Sequence, residues 1–255
     1  MSKVDVNCFL DLLRKSTCNY SIDTTQLKFD AKMYNVGMRG TNCIVLLNGI
    51  NDIIDEIENN DTWELNFSNV SKNVKSYFDL IIPDENGKAN IKMKDEKIIV
   101  SSGKQKSNLF FCADIIVDTF DGDGPKVLGD TVYETQLNQD FIDVYSLIKK
   151  IGGSFGKIYF VVKDGKLSME VTDKTNPLSN GMSFEIGDTK YDDLEVCFEF
   201  KTFNNIMSLI NGDFEDFSFR IGYVVKNKGG MISLIKNDEV ETEKYYMLSM
   251  RESTV

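Results

Sequence analysis

The sequence carries one design twice. Residues 7–17, NCFLDLLRKST, set Phe9, Leu12 and Leu13 on one side of a helix and Asp11, Arg14 and Lys15 on the other. Apolar residues at this spacing return to the same face of a 3.6-residue turn. Residues 140–151, DFIDVYSLIKKI, repeat the pattern. Phe141, Val144, Tyr145 and Ile148 point inward, Asp143, Ser146 and Lys150 point outward, and Lys149 sits at the flank. Strand-like stretches follow each helix: QLKFDAKMYNVGM and TNCIVLLNGI in the first half, KIYFVVKDGKLSMEVTD and GMSFEIG in the second. A second helix then appears in each half. Over 69–79 it buries Val70, Val74 and Tyr77 and exposes Lys72 and Lys75. Over 200–211 it buries Phe203, Ile206, Met207 and Ile210 and exposes Lys201, Asn204, Asn205 and Ser208. More strands close each half.

A repeat of this length constrains the fold more than any single motif. Both halves run strand, helix, strands, helix, strands, so the expectation is an α+β chain of two similar domains, 1–117 and 131–255. The segment 118–130, DTFDGDGPKVLGD, has the glycines, proline and acids of an exposed connector. Charge supports the equivalence: residues 1–125 hold 14 basic and 19 acidic side chains, and 126–255 hold 15 and 21. The Asp-Gly pair in VVKDGKLSM is a tight-turn signal, which favours antiparallel hairpins over β-α-β crossovers.

Composition then narrows the function. The chain has no histidine, which removes the commonest general base and transition-metal ligand. Its five cysteines, Cys8, Cys18, Cys43, Cys112 and Cys197, are scattered without a C-x-x-C pair and read as reduced, mostly buried residues. No apolar run has the length of a membrane span or of a signal-peptide core, so a cytoplasmic protein with no membrane partner is expected. A net charge of −11 argues, as a sum, against a nucleic-acid partner. Position matters more than the sum. Acids crowd the turns, as in 52–64, 188–199 and 213–216, while the exposed helix faces lean basic.

Three apparent motifs fail. In IKKIGGSFGKIYFVV the glycines Gly152 and Gly156 have three residues between them, and Ile158 follows Lys157. A phosphate-binding P-loop needs four residues and a Ser or Thr, between a strand and a helix rather than the reverse. Gly152 or Gly153 is expected to be a left-handed helix cap instead. Counted from Asp121, DTFDGDG has Pro125 fifth and Val132 twelfth, which no EF-hand loop allows. Paired acids such as Asp192 and Asp193 would serve a carboxylate hydrolase, but nothing sets two of them across a cleft. No catalytic residue, metal site or cofactor is expected.

The duplicated order, the basic helix faces and the acidic remainder resemble the DNA sliding clamp, the processivity ring of replicative polymerases. The resemblance covers nearly the whole chain and is nearest to the clamps of large tailed phages. FVVKDGKLSMEV, MSFEIGDTKYDDLEVCFEFKTFNNIMSLINGDFEDFSFRI, EKYYMLSMRE and KIIVSSGKQKSNLFFCAD carry it. The long acidic NDIIDEIENNDTWE and the connector depart from it. The resemblance implies the DNA clamp fold, with antiparallel sheets outside, two helices per domain inside, and six domains in a homotrimeric ring. It implies a duplex-facing set of Arg14, Lys15, Lys72, Lys75, Lys149, Lys150, Lys157 and Lys201. It implies a subunit interface in which a strand over 109–112 pairs with 182–186 of a neighbour, through Leu109, Phe110, Phe111, Met182, Phe184 and Ile186. A pocket of Ile115, Ile116, Val117, Tyr246 and Leu248 would take the tail of a DNA polymerase or of the ATPase that loads the clamp. DNA contact would be weak, salt-dependent and blind to sequence. The competing expectation is an acidic interaction module or DNA mimic that forms no ring.

Overall fold

The structure, a computed structural model, describes residues 2–57, 61–126, 128–176, 178–210, 212–224, 229–238 and 241–250. The chain divides into two compact units. The first takes Met1–Gly40, Ile44–Asp123 and Asp238–Glu243, and the second takes Thr41–Cys43, Gly124–Asn237 and Lys244–Val255.

The first unit begins with strand β1 (Lys3–Asp5), helix α1 (Val6–Ser16), β2 (Thr24–Phe29), β3 (Met33–Arg39), β4 (Cys43–Ile50) and β5 (Trp63–Ser68). A π-helical segment, Val70–Lys75, then runs into an α-turn, Ser76–Phe78; together they form α2. Strands β6 (Lys88–Lys94), β7 (Lys97–Ser102) and β8 (Gln105–Phe110) follow. The later elements repeat this order one for one: β9 (Asp130–Gln136), α3 (Gln139–Gly152), β10 (Lys157–Lys163), β11 (Lys166–Val171), β12 (Met182–Asp188), β13 (Asp193–Glu199), α4 (Phe200–Ile210), β14 (Ser218–Val224), β15 (Gly229–Asn237) and β16 (Thr242–Leu248).

Sheet order repeats as well. One set of neighbours runs β1-β6-β7-β8, and its counterpart runs β9-β14-β15-β16. The other runs β5-β2-β3-β4, with β13-β10-β11-β12 as its counterpart. Every described register is antiparallel, including the hairpin between β10 and β11. There Asp164 (φ 51°) and Gly165 (φ 73°) turn the chain between the paired Lys163 and Lys166, as the Asp-Gly signal requires. Strands such as β2 bury alternate residues, so one face of each sheet lies on a core.

Helices α1 and α3 begin where side chains satisfy free N–H groups. Asp5 accepts a hydrogen bond from Cys8 N (2.9 Å), and Asn138 accepts one from Phe141 N (3.0 Å). Arg14 and Lys15 close α1 and Lys149 and Lys150 close α3, where the negative end of the helix dipole favours cations. The buried faces meet in aromatic clusters. In the first unit Phe9 of α1 stacks on Phe78 of α2 (4.6 Å between ring centroids) and faces Phe29 of β2 (6.4 Å). In the second, Phe160 of β10 touches Phe198, Phe203 and Phe219, and Phe219 meets Phe141 of α3 at 4.8 Å.

Three local expectations need correction. In α2 the buried residues are Val70, Val74 and Phe78, and Tyr77 is exposed. The wider π-helical turn brings every fourth residue back to the same face, so the inward stripe falls one position beyond the α-helical expectation. In α3 Ile142 is buried and Val144 only half-buried, at the rim of a cleft with Tyr133 and Ile186. The end of α3 also differs. Gly153 keeps a right-handed φ of −59°, and the left-handed residue is Gly156, φ 70°. Gly152 serves packing: a Cβ there would stand 2.2 Å from the ring of Phe200, the first residue of α4. Helix α4 is described to Ile210; Asn211, where the sequence placed its end, lies outside the described residues. Among the cysteines, Cys18, Cys43 and Cys197 are buried, but Cys8 is exposed on α1. No helix among the described residues is long and apolar enough to cross a membrane.

The adjacent glycines 152 and 153 therefore separate two effects. Gly152→Ala is expected to lower unfolding free energy by about 1–3 kcal/mol, because the packed Phe200 ring must move. Gly153→Ala meets nothing within 4 Å and is expected to be neutral or to stabilise by about 0.4–1 kcal/mol. Urea unfolding of the two variants checks the contrast; equal losses would show that Gly152 has no special packing role.

Candidate nucleic-acid interface

The eight cations expected to face a duplex fall into two kinds. Lys149 and Lys150 project from the last turn of α3 and Lys201 from the first turn of α4; all three are exposed, and none enters an ion pair among the described residues. The Lys149 ammonium lies 5.8 Å from the Tyr145 ring centroid. Lys157, at the start of β10, is half-buried and within electrostatic reach of Asp173. Of the four expected cations in the first unit, Lys72, exposed on α2, is the one with no ion pair among the described residues.

The other three first-unit cations are already engaged. Arg14 donates to Asp11 Oδ1 through Nε (3.2 Å) and Nη2 (2.8 Å). Lys75 pairs with Asp79 one turn along. Lys15 lies 3.5 Å from Asp11 Oδ2 and donates to Glu243 Oε1 at 2.5 Å. The Glu243 side chain is only 6% exposed. Burial works against the charge on Lys15, but Glu243 and then Asp11 outweigh it, and its pKa is raised. Removing one partner of such a pair is costly because a buried charge loses its counterion. The Asp11 and Asp79 pairs follow i,i+3 and i,i+4 spacing and are visible in the sequence. The Lys15–Glu243 pair joins residues 228 positions apart, and no local signal announces it.

Beside Lys15 a cleft of about 350 Å³ is lined by Cys8, Asp11, Tyr34, Asp52 and Glu241, among others. Its wall carries Asp11, Asp52 and Glu241 against Lys15. Burial, and then Asp5, push the Cys8 thiol up to about 11. Burial, and then Glu241 and Glu243, push the Tyr34 phenol up. An anion gains nothing there, so the basic lean of α1 in the sequence does not become a basic surface at its flank.

The sheet edges form a second set of features. Three are covered by chain. After β8, Cys112 N donates to Asn66 O at the open side of β5; after β16, Met250 N donates to Cys197 O at the open side of β13. The two bonds occupy equivalent places in the repeat. Strand β1 is covered by 53–55, through Asp5 N to Ile53 O and Asp55 N to Lys3 O. By contrast β8 and β12 each end a four-stranded sheet, and no backbone segment covers either among the described residues. The strand expected over 109–112 is in fact Gln105–Phe110; Phe111 N still bonds Glu96 O in the register of β7 and β8, and Cys112 then turns away to bond Asn66. Leu109 is buried, and Phe111 packs on Phe67 (5.8 Å). Phe110 is 63% exposed, with Lys97 above its ring. On β12 Met182 is exposed, and Phe184 and Ile186 are half-buried. Leu80 and Ile82, 67% and 70% exposed, lie beside β8: the Gln105 side chain bonds Leu80 O and Ile82 N.

The stretch after β8 is ordered by backbone bonds. Arg39 N donates to Asp118 O and Phe120 N donates to Gly37 O, so 118–120 lies strand-like along the end of β3. Gly37 permits the approach; a Cβ there would stand 2.2 Å from Phe120 O. Just before, a 3-10 turn, Asp114–Ile116, is held by Asn66 Nδ2 donating to Asp114 Oδ1 (2.6 Å). Of the expected tail pocket, Ile115 is 95% exposed, and Ile116 and Leu248 are exposed too, whereas Val117 and Tyr246 are buried.

No protein-family model matches the sequence, and no curated protein matches it significantly. Solved structures do. Proliferating Cellular Nuclear Antigen from Entamoeba histolytica superposes with a TM-score of 0.61 at 12% identity over 98% of each chain. A. fulgidus PCNA, solved with the C-terminal region of FEN-1 bound, gives 0.64 at 9% identity over 99% of this chain and 100% of its own. The DnaN sliding clamp (DNA polymerase III subunit beta) of Pseudomonas aeruginosa, bound to griselimycin, gives 0.62 at 14% identity over 98% of this chain but only 65% of its own. The fold is that of the DNA sliding clamps.

Two outcomes follow from the α1 geometry. Lys15→Ala is expected to destabilise the protein by about 2 kcal/mol at neutral pH, as loss of a charged hydrogen bond to a buried acceptor does. Because the folded pKa of Lys15 is raised, its contribution is complete below the ordinary 10.5 and is lost as pH climbs through the raised value. The gap between wild type and Lys15→Ala in urea midpoint should therefore close above pH 10.5, and a constant gap would contradict the pairing. Cys8, though exposed, should alkylate slowly at neutral pH, because the thiolate is the nucleophile. Raising the pH toward 11 should accelerate it, as mass spectrometry would record.

Proposed function

We propose that this chain, built on the DNA sliding-clamp fold, is itself a clamp: three copies close head to tail into a ring of six domains that encircles duplex DNA and tethers a replicative polymerase. The observation that carries the reading is the pair of bare edges. A long uncovered strand edge is a template for pairing with another chain. Here β8 and β12 lie in different halves and are not repeat counterparts of each other, so joining them between copies makes a head-to-tail contact. Such contacts generate closed rings when the rotation closes. Phe110 and Met182, with Phe184 and Ile186, would meet at the joint, flanked by Leu80 and Ile82, while Leu109 and Phe111 back the strand from within its own unit. Spanning about two thirds of the bacterial clamp's length suits a trimer, since bacterial clamps hold three domains per chain.

In the ring the helices line the opening. Lysines that meet phosphates loosely attract DNA without reading bases, so the ring can slide. Enclosure, more than affinity, keeps the clamp on DNA, and no group need do chemistry. Ile115, Ile116 and Leu248, with Val117 and Tyr246, would receive the apolar anchors of a polymerase or loader tail. An ATP-driven loader would open the ring. The setting is the cytoplasm, that of a host cell if the gene is a phage's, with no membrane partner.

Solution mass is the first test: three times the 29.0 kDa of the chain is expected. Leu80→Asp with Ile82→Asp, at exposed positions, should yield folded monomers. A monomeric wild type would favour the acidic interaction module. Lys72→Glu with Lys150→Glu should abolish processive synthesis while trimers persist; full processivity in that variant would remove the channel assignment.

A further inference from the structure

We infer that Asp11, Asp79 and Glu243 mask Arg14, Lys15 and Lys75 on the helices of the first unit, so that an encircled duplex is borne mainly by Lys149, Lys150 and Lys201 of the second unit, with Lys72 as the free contributor from the first unit's helices. The inference rests on the clamp reading and refines it, from two equivalent basic halves to one screened half and one open half.

The argument starts from what a phosphate would meet at each cation. At Lys15 it must displace Glu243, a carboxylate 2.5 Å away and nearly sealed from water. At Arg14 it competes with Asp11, which holds two donors of the guanidinium and lies within reach of Lys15. At Lys75 it competes with Asp79. The acid-lined cleft beside α1, with Asp52 and Glu241 in its wall, adds repulsion. The second unit offers the opposite surroundings. Helix α4 contains no acid. The acids of α3, Asp140 and Asp143, belong to its first half, and Lys149 and Lys150 to its last turn. Six residues of helix separate Asp143 from Lys149, roughly 9 Å of rise, which is about a Debye length at physiological salt. These lysines therefore present nearly full charge to a polyanion. A duplex resting on one repeated half of the lining touches fewer cations at a time, which favours movement along it.

The test is a salt titration of binding to a short linear duplex, read by fluorescence anisotropy on the intact protein, with solution mass confirming assembly of each variant. Lys149→Gln with Lys150→Gln should weaken binding roughly tenfold at low salt, and should flatten the slope of log K against log salt by about 1 for each phosphate that the variant leaves unneutralised. Arg14→Gln should leave affinity within roughly twofold and the slope unchanged, since that charge is already balanced. Asp11→Asn should tighten binding and steepen the slope, because it releases Arg14. If Arg14→Gln costs as much as the α3 double variant, or Asp11→Asn changes nothing, the masking is overturned while duplex binding stands. If neither wild type nor any variant shows salt-dependent duplex binding, the clamp reading and the inference fall together.

Discussion

Backbone N–H and C=O groups along the last strand of a sheet need partners, and this requirement organises the protein. A two-sheet unit has four sheet edges to settle. In each half the segment that leaves the final strand turns across the open side of another: Cys112 reaches Asn66, and Met250 reaches Cys197. Two hydrogen bonds at matching places show that the repeat extends beyond hydrophobic pattern to edge management. Without a backbone partner among the described residues are β8 and β12, one in each half, whereas β9, at the end of its own sheet, is met by the Thr189 hydroxyl donating to Val132 O (2.5 Å). Side chains there add to the exposure, with Phe110 and Met182 turned outward. The proposed assembly would draw on this leftover, with no residue specialised for oligomerisation.

Electrostatics adds a second layer that the fold alone does not dictate. Both halves place lysines or arginines on exposed helical turns, where dipole and solvent favour them. The halves then diverge. Asp11, Asp79 and Glu243 neutralise three first-unit cations at short range, and nothing comparable among the described residues meets Lys149, Lys150 or Lys201. The two halves share a scaffold and differ in how their helix cations are paired. Counting basic residues by helix would miss this, because the strongest partner, Glu243, comes from the far end of the chain.

The sequence revealed the architecture because the architecture rests on short-range signals. Phe9, Leu12 and Leu13 recur at helical spacing, Asp164-Gly165 specifies its hairpin, and the order of elements repeats. Its failures have equally physical causes. A π-helical turn changed the period under Tyr77 and Phe78. Gly152 answered to the ring of Phe200, far along the chain, rather than to a cap. Edge strand β8 ended earlier than its apolar residues suggested, because Cys112 was recruited to β5. Of the candidate site, the list of cations was legible, but their engagement was not, except where Asp11 and Asp79 lie one helical turn from a cation.

The tract along β3 carries one more implication. Gly37 has a carbonyl of Phe120 where its side chain would be, so that codon tolerates almost no change over evolutionary time without dislodging the segment. A few positions before Phe120, Ile115 stands clear of the protein and can be exchanged at little structural cost. The segment's course is therefore set by a backbone contact, while the chemistry displayed at its turn is left open to replacement.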